Sequence, residues 1–226
     1  AHAQADIDAI AGAFSAALDE LQGAGILVGA NASIEQPPRP SAPPAPPREA
    51  PITEPQMEIW LAAQLGAEAS CAFNESITLV LNGKLGAAHL AGALNDVISR
   101  HDALRSRFLV AGEAFIIDET RALALEPVGA ETEAEAERRL AQIIAQEART
   151  PFDLTRGPLL RATLVKLAPE KHALVLTAHH IVCDGSSFAI LLRDIRAVYA
   201  AALEGRVHEW APIPFTWTDY VREQAD

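Results

Sequence analysis

The apolar residues near the start of the chain recur at helical spacing and then give way to a proline-rich stretch. This spacing predicts an amphipathic helix over residues 6–22, with an apolar face of Ile7, Ile10, Phe14, Leu18 and Leu21. A single helix of this length cannot bury its apolar face, so we expect it to belong to a neighbouring unit. Nine of the fifteen prolines fall between Gln36 and Pro55, a composition typical of extended linkers. The pattern therefore predicts a terminal helix in residues 1–27, a linker in 28–51 and a globular unit in 52–226.

Within residues 52–226 the periodicity alternates between that of helices and that of strands. Strands are predicted over residues 76–83, 107–110, 114–118, 159–167 and 172–180, with a hairpin turn at Gly112 and another at the letters APEK. A short helix is predicted around Met57, Trp60 and Leu61, and a second helix has the apolar positions Leu90, Leu94, Val97, Ile98 and Leu104. A third helix is predicted over residues 131–149, with Leu140, Ile143 and Ile144 inward. A fourth begins at about Ser186, and its apolar face contains Phe188, Leu191, Leu192, Ile195, Val198 and Tyr199. The mixture predicts an α/β or α+β core.

The composition limits the classes of function. The net charge is −12 and the basic residues form no cluster, which argues against nucleic-acid binding. No apolar run approaches the ~18 residues that span a bilayer, so we expect no membrane association. The first ten residues, AHAQADIDAI, lack the basic region and apolar stretch of a signal peptide. In a chain without an export signal, Cys71 and Cys183 are expected to be free thiols, as in the cytoplasm.

The strongest chemical signal is HHIVCDG, which runs from His179 to Gly185 between a predicted strand and a predicted helix. A neutral imidazole is well matched to proton transfer near neutral pH. Asp184, expected to be a buried carboxylate, could fix the local geometry through hydrogen bonds or a salt bridge. Gly185 would permit a backbone conformation or a close substrate approach that a Cβ forbids. Ser186 or Ser187 could cap the following helix.

The simpler interpretation of each histidine is structural. It is favoured for His172 and His208, and for His179 when it is taken alone. A metal site would need two histidines and a carboxylate around one centre. Adjacent residues of an extended segment point to opposite faces, so His179 and His180 should not bind one ion together, and no metal site is predicted.

With its sequence context, HHIVCDGSS resembles the HHxxxDG signature of the condensation superfamily of nonribosomal peptide synthetases. Four further blocks resemble that family in the right order: TEPQMEIWLAAQ (Thr53 to Gln64, with Met57 and Glu58 departing from the commoner polar or basic residues), RHDALRSRF (Arg100 to Phe108), PFDLTRGPLLRATL (Pro151 to Leu164) and FTWTDYVREQ (Phe215 to Gln224). The resemblance covers about residues 52–226 and includes none of the family's later blocks. It implies the N-terminal lobe of a two-lobed condensation domain, with a chloramphenicol-acetyltransferase-like fold in which helices flank a mixed sheet.

The resemblance also implies a function and a set of site residues. His180 would be the catalytic or positioning residue, with His179, Asp184 and Gly185 in support; whether His180 acts as a general base or positions the amine stays open. The reaction would be attack of an acceptor amine on a donor thioester. Both substrates would be carried on the phosphopantetheine arms of donor and acceptor carrier-protein domains, and this chain would bind no cofactor itself. The second lobe would be a further partner, supplying an arginine to pair with Asp184.

Several alternative functions stay open. Heterocyclisation domains replace the histidines with a DxxxxD pattern, and epimerisation domains usually place an aromatic residue soon after the first serine. HHIVCDG argues against heterocyclisation, and GSSF together with the opening block favours condensation over epimerisation. A competing class is a scaffold or interaction fragment with no activity by itself. The letters AHAQADIDAIAGAFSAALDELQGAGIL resemble the tail of class III aminotransferases, the alternative being an arbitrary linker helix. An aminotransferase would imply a hybrid polyketide–peptide megasynthase.

Overall fold

The computed structural model describes residues 48–118, 122–213 and 215–225. The helix predicted over residues 6–22, and most of the linker predicted in residues 28–51, lie outside the described residues. Within the predicted linker, Arg48–Pro51 forms strand β1 and pairs with strand β4 (Ala114–Ile117). Pro51 is the last residue of a strand at the edge of its sheet, where a missing N–H is tolerated.

Two sheets organise the fold. A three-stranded sheet has the order β1-β4-β3, with β3 at Ser106–Phe108, and it contains the hairpin predicted around Gly112. Gly112 has a φ of 75°, and a Cβ there would lie 2.6 Å from the Trp60 ring, so both the turn and the packing require glycine. A four-stranded sheet has the order β2-β7-β6-β5, with bounds Asn74–Asn82, Lys171–His179, Leu160–Ala168 and Pro127–Val128 in that order.

The four-stranded sheet is mixed. Strands β2, β7 and β6 are antiparallel, whereas β5 and β6 are parallel. Strand β7 is central, and all of its residues from His172 to His179 are buried, as expected for a strand covered on both faces. Strand β2 lies at an edge of the sheet and alternates between buried and exposed positions, as expected for a strand with one face in the core.

Six α-helices of the described residues surround these sheets. Their bounds are Glu54–Ala63 (α1), Ala67–Cys71 (α2), Ala87–Arg100 (α3), Glu133–Glu147 (α4), Gly185–Leu203 (α5) and Trp217–Ala225 (α6), and a 3-10 turn spans Asp102–Arg105. Helices α3 and α5 pack on one face of the four-stranded sheet and form the largest core cluster with it. Helix α4 covers part of the opposite face, where Leu140 and Ile143 pack against Val165.

The predicted fold class is confirmed, with one correction to a predicted helix face. Ile144 is predicted to point inward but is 38% exposed, because the contacts of α4 with the sheet are made through Ala136, Leu140 and Ile143. The short helix predicted around Met57, Trp60 and Leu61 is α1, which buries Gln56, Trp60 and Ala63. No helix in the described part of the chain is both long and apolar enough to cross a bilayer.

Candidate active site at the end of strand β7

The two adjacent histidines lie where β7 ends, and they face opposite sides of the sheet. His179 is the last residue of the strand and is fully buried, whereas the side chain of His180 is 38% exposed. The backbone N–H of His180 still donates to the carbonyl of Phe73 at 2.8 Å, so its position is fixed by the edge of the sheet. The predicted divergence of the two rings is confirmed, and it leaves one histidine in the core and one at the surface.

His179 is held by a local hydrogen bond and by two aromatic rings. Its Nδ1 accepts from the backbone N–H of Ile181 at 3.2 Å, so the ring proton lies on Nε2. Phe73 and Phe152 pack against the ring with centroids 5.9 Å and 6.0 Å away. Nε2 is buried and has no hydrogen-bond partner within the described residues. These contacts make His179 part of the support of the turn after β7.

The same surroundings keep His179 neutral. Burial, together with the nearby positive charges of His180 and Arg161, lowers the pKa of His179 from its usual 6.5 to about 4. Arg161 lies next to Phe152, one of the rings that pack against His179. Its guanidinium is 3.7 Å from the centre of the Phe152 ring and also pairs with Glu147 at 2.5 Å. The ring of His179 therefore carries no charge near neutral pH, since a charged imidazolium would be poorly solvated in this position.

His180 contacts a carboxylate on the neighbouring strand. Nδ1 of His180 lies 2.6 Å from Oε1 of Glu75, and the side chain of Glu75 is 33% exposed. The contact is short, although it is not directed along a ring N–H bond as a good hydrogen bond would be. Glu75 was missed at the sequence level, since nothing within HHIVCDG points to a residue more than one hundred positions earlier.

Asp184 is the N-cap of helix α5. Its Oδ1 accepts from the backbone N–H of Ser187 at 2.7 Å and from the Ser187 hydroxyl at 2.6 Å. The hydrogen bond from the Ser187 hydroxyl is the main reason that the pKa of Asp184 is lowered, with help from the backbone N–H and the charge of His180. The hydrogen-bonding role expected of Asp184 is therefore present, but the cap is Asp184 itself and not Ser186 or Ser187.

Two further expectations for this loop need correction. Asp184 is exposed and not buried, because it lies at the start of α5 on the surface. Gly185 is the first residue of α5 and does not have a positive φ, so its backbone conformation does not require glycine. The other reason expected for glycine at this position, a close approach of substrate, stays a prediction.

Cys183 lies in the same loop but is not available as a nucleophile. The side chain is buried, and burial together with the negative charges of Glu75 and Asp184 raises the pKa of the thiol to about 12. A thiol with so high a pKa carries almost no thiolate at neutral pH. Cys183 and Cys71 are both free, as predicted.

Gln56 anchors the turn that follows the histidines, and sequence reasoning missed it. It is buried, and its Nε2 donates to the carbonyl of Ile181 at 3.0 Å. Its Oε1 accepts from the backbone N–H of Thr53, which completes a capping box at the start of α1. The sequence signal that could have indicated Gln56 is a polar residue on the apolar face of a short helix.

The site is an open surface. The exposed fractions of His180 and Glu75 show that solvent reaches both. Two cavities of the protein lie elsewhere, one beside Arg105 and Arg107 and the other beside His101 and Trp217.

In residues 48–118, 122–213 and 215–225, no three His, Cys, Asp or Glu side chains converge as metal ligands would. The arrangement offers one accessible imidazole beside one carboxylate, which suits proton transfer or a hydrogen bond to a reacting group.

Comparison with known proteins assigns most of the chain to one family. A family model described as condensation domain matches residues 47–226. A dimodular nonribosomal peptide synthase of Bacillus subtilis (strain 168) is 35% identical over 183 residues, which cover 80% of this chain and 8% of that protein. Chondramide synthase cmdD of Chondromyces crocatus is 34% identical over 188 residues, covering 78% of this chain and 5% of that protein. The chain thus spans only a small part of the curated relatives it matches.

Solved structures give the same result for the fold. The starter condensation domain of rhizomide synthetase RzmA is similar with a TM-score of 0.70 and 26% identity, covering 79% of this chain and 43% of that chain. The X-domain from teicoplanin biosynthesis is similar with a TM-score of 0.69 and 34% identity, covering 81% of this chain and 39% of that chain. The 226 residues therefore span about two-fifths of the solved chains that they resemble.

Proposed function

This chain belongs to the condensation-domain family, and from that premise we propose that it contributes the histidine side of a site that forms amide bonds between carrier-bound substrates. The substrates are an acyl or aminoacyl thioester on a donor carrier protein and an aminoacyl group with a free amine on an acceptor carrier protein. Both are tethered through phosphopantetheine, so the cofactor belongs to the partners. The sequence similarity to peptide synthetases of several organisms supports this reaction class.

The reaction that we propose is acyl transfer from sulfur to nitrogen. The acceptor amine forms a bond to the thioester carbon, the carbon–sulfur bond then breaks, and the proton lost by the amine ends on the leaving thiol. His180 either takes the amine proton or holds the amine and the tetrahedral intermediate by a hydrogen bond. Each role needs an imidazole nitrogen with a free lone pair facing the amine. Base catalysis of this kind typically contributes ~10²–10⁴-fold to rate.

The observation that carries the proposal is the contrast between the two histidines. His180 is accessible at the end of a buried strand and lies next to a carboxylate, whereas His179 is buried and neutral. A rigid strand end with one exposed titratable group is a usual way of presenting a catalytic side chain. We assign the supporting role to His179 and Asp184, which fix the turn and the start of α5.

The test is amide formation by the intact condensation domain supplied with loaded donor and acceptor carriers, followed by mass spectrometry of the product. We expect His180→Ala to reduce the rate by at least about 100-fold, within the range for loss of a general base. His208→Ala, at a partly exposed position against Trp210, is the matched control and should retain the rate. A His180→Ala domain that forms product at nearly the normal rate would remove His180 from the mechanism.

A second candidate is a scaffold function without catalysis. The similarity to the X-domain favours it, because the X-domain from teicoplanin biosynthesis was solved in complex with OxyB. The same carrier assay separates the two functions. A scaffold forms no amide either as the wild type or as the His180→Ala variant, whereas a condensation domain loses product only in the variant.

The wider context that we propose rests on sequence alone. The resemblance of residues 1–27 to an aminotransferase tail supports an aminotransferase ahead of the condensation domain, in a hybrid megasynthase that acts in the cytoplasm. These residues lie outside those that the structure describes. We also propose that residues 48–51 belong to the condensation domain and not to the linker, since they pair with β4.

A further inference from the structure

The inner face of strand β2 changes character near the start of the strand. Leu81 and Leu79 are buried in the main core, and Ile77 packs against it. Glu75 is the next residue on the same face, because side chains alternate along a strand. The carboxylate of Glu75 therefore lies where the apolar face of β2 ends, next to the candidate site and outside the apolar core.

The register of the sheet places this carboxylate beside His180. Glu75 is directly opposite Ala178 on β7, so the two share a face of the sheet. His180 is two residues further on and returns to that face, which makes it the diagonal neighbour of Glu75. The result is the 2.6 Å approach of Oε1 of Glu75 to Nδ1 of His180.

The short approach determines which ring nitrogen carries the proton. The contact is not in line with a ring N–H bond, but an unprotonated Nδ1 would still lie 2.6 Å from a negatively charged oxygen, an arrangement that electrostatic repulsion disfavours. This repulsion favours the neutral ring that carries its proton on Nδ1 and has its free lone pair on Nε2. When Nε2 takes up a proton, the imidazolium that forms is next to a negative charge, which stabilises it.

We propose that Glu75 is a positioning residue that holds His180 as the Nδ1–H tautomer, so that Nε2 accepts from the acceptor amine. This inference rests on the proposed function of His180. It concerns a residue outside the histidine motif, on a different strand.

The other charged or titratable groups of the loop do not supply this contact. Asp184 directs its Oδ1 to Ser187 and the start of α5. His179 is neutral, since its pKa is lowered to about 4, and its Nδ1 accepts from Ile181. Glu75 is the carboxylate whose contact with His180 the structure shows.

The first experiment determines the tautomer in the 226-residue chain without any substrate. Long-range proton–nitrogen NMR correlations of His180, recorded at a pH where the ring is neutral, should show Nδ1–H. Glu75→Ala should shift the ring toward Nε2–H, the form that isolated imidazoles favour. Glu75→Gln should keep Nδ1–H because its amide oxygen can still accept. Glu68→Ala, an exposed carboxylate on α2, is the matched control and should change nothing.

Two results of that experiment would overturn the inference. One is a wild-type His180 with its proton on Nε2, and the other is a Glu75→Ala spectrum identical to that of the wild type. Because amide NMR spectra of the same samples report whether each variant is folded, a loss of structure in Glu75→Ala is recognised directly, and Glu75→Leu then replaces it.

The second experiment measures turnover in the intact condensation domain. We expect Glu75→Ala to lower kcat by about 10- to 100-fold with KM within about 2-fold, because a wrong tautomer weakens the base and leaves substrate binding in place. Glu75→Gln should fall between wild type and Glu75→Ala, since it keeps the tautomer and loses the charge. If His180→Ala abolishes product while Glu75→Ala has full kcat, the role of Glu75 is wrong and the proposed function stands. If His180→Ala has no effect, the proposed function fails whatever the tautomer.

Discussion

At the scale of single residues, His179 and His180 are neighbours in opposite surroundings. His180 is accessible beside Glu75, whereas His179 is enclosed by Phe73 and Phe152 and its pKa is lowered to about 4. The buried histidine should therefore make the stability of the fold depend on pH. Above pH 6.5 it is neutral in the folded and the unfolded chain. As the pH falls from about 6.5 to about 4, the unfolded chain binds a proton there and the folded chain does not.

We expect this one group to lower the free energy of unfolding by roughly 3 kcal/mol between pH 7 and pH 4, at about 1.4 kcal/mol for each pKa unit. His179→Asn should lose that part of the pH dependence, because Asn can still accept from the N–H of Ile181 but does not titrate. Urea unfolding of both proteins at several pH values measures the difference. His89→Asn, on the first turn of α3, is the control and should follow the wild type. Parallel pH curves for wild type and His179→Asn would contradict the prediction.

Asp184 gives a second residue-scale prediction. As an exposed N-cap, it should tolerate Asn, which caps helices equally well, with a change of only a few tenths of a kcal/mol. Asp184→Ala should lower the free energy of unfolding by about 1 kcal/mol at pH 7. Thr132→Ala removes the cap of α4, far from the site, and should cost a similar amount. Chemical denaturation measures all three.

The same variants separate structure from chemistry. If Asp184 acts only as a cap, Asp184→Asn should keep the rate of amide formation, and Asp184→Ala should resemble Thr132→Ala once both are compared at equal stability. Loss of turnover in Asp184→Asn with an unchanged free energy of unfolding would make Asp184 part of the catalytic machinery.

The sequence points to the candidate site residues more directly than to their surroundings. His180, His179 and Asp184 could be proposed as site residues because they are close together in one motif. Glu75 could not, since its contact depends on the register between β2 and β7, which no local pattern fixes. The expected burial of Asp184 was wrong for a related reason: a polar residue between a strand and a helix can lie on either side of the surface, and only packing decides.

At the scale of elements, helix α1 and the turn after β7 are joined by one buried amide. Gln56→Met keeps most of the side-chain volume but leaves the carbonyl of Ile181 without its donor and breaks the capping box. We expect it to lower the free energy of unfolding by about 1–3 kcal/mol, the usual cost of an unsatisfied buried polar group. It should also reduce amide formation, because the turn carries His180.

Gln64→Met, at the exposed end of the same helix, is the matched control for Gln56 and should be close to neutral in both measurements. Thermal or urea unfolding gives the stability, and the carrier assay gives the activity. If Gln56→Met is as stable as Gln64→Met, the buried hydrogen bond does not hold the turn as we describe.

Most helices and strands could be predicted because their patterns are local. Apolar, β-branched runs bounded by turn signals predicted β2 and the β6–β7 hairpin, and the 3.6-residue period predicted α3 and α5. Strand β1 was missed because its proline-rich composition outweighed a pattern of only four residues, and its pairing with β4 spans more than sixty positions. The exposure of Ile144 was missed because Leu140, Ile143 and Ile144 have the spacing of one helical face, and the sequence does not show that the contact with the sheet runs through Ala136, Leu140 and Ile143.

At the scale of the whole molecule, a buried central strand ends at a candidate site that is open to solvent. The sheet that carries β7 is covered on one face by α3 and α5 and on part of the other by α4, and at the strand end Phe73 and Phe152 pack against His179. Beyond that end, His180 is partly exposed and Asp184 is exposed, whereas Ile181 and Cys183 are buried. The matched part of the chain covers about two-fifths of the solved chains that it resembles.

We therefore expect this chain, taken alone, to fold but not to condense substrates. With His180 and Glu75 open to water, the charge that develops at the thioester lacks dry, preorganised surroundings, and such surroundings are usually the largest contribution to catalysis. An open surface aligns two carrier arms less well than an enclosed channel, so we also expect the chain to lack the large rate gain of an effectively intramolecular reaction. The measurement supplies the purified chain with both loaded carriers and follows amide product by mass spectrometry, with the intact domain as the control. Multiple turnovers at a rate comparable to the intact domain would show that these residues contain the whole active site.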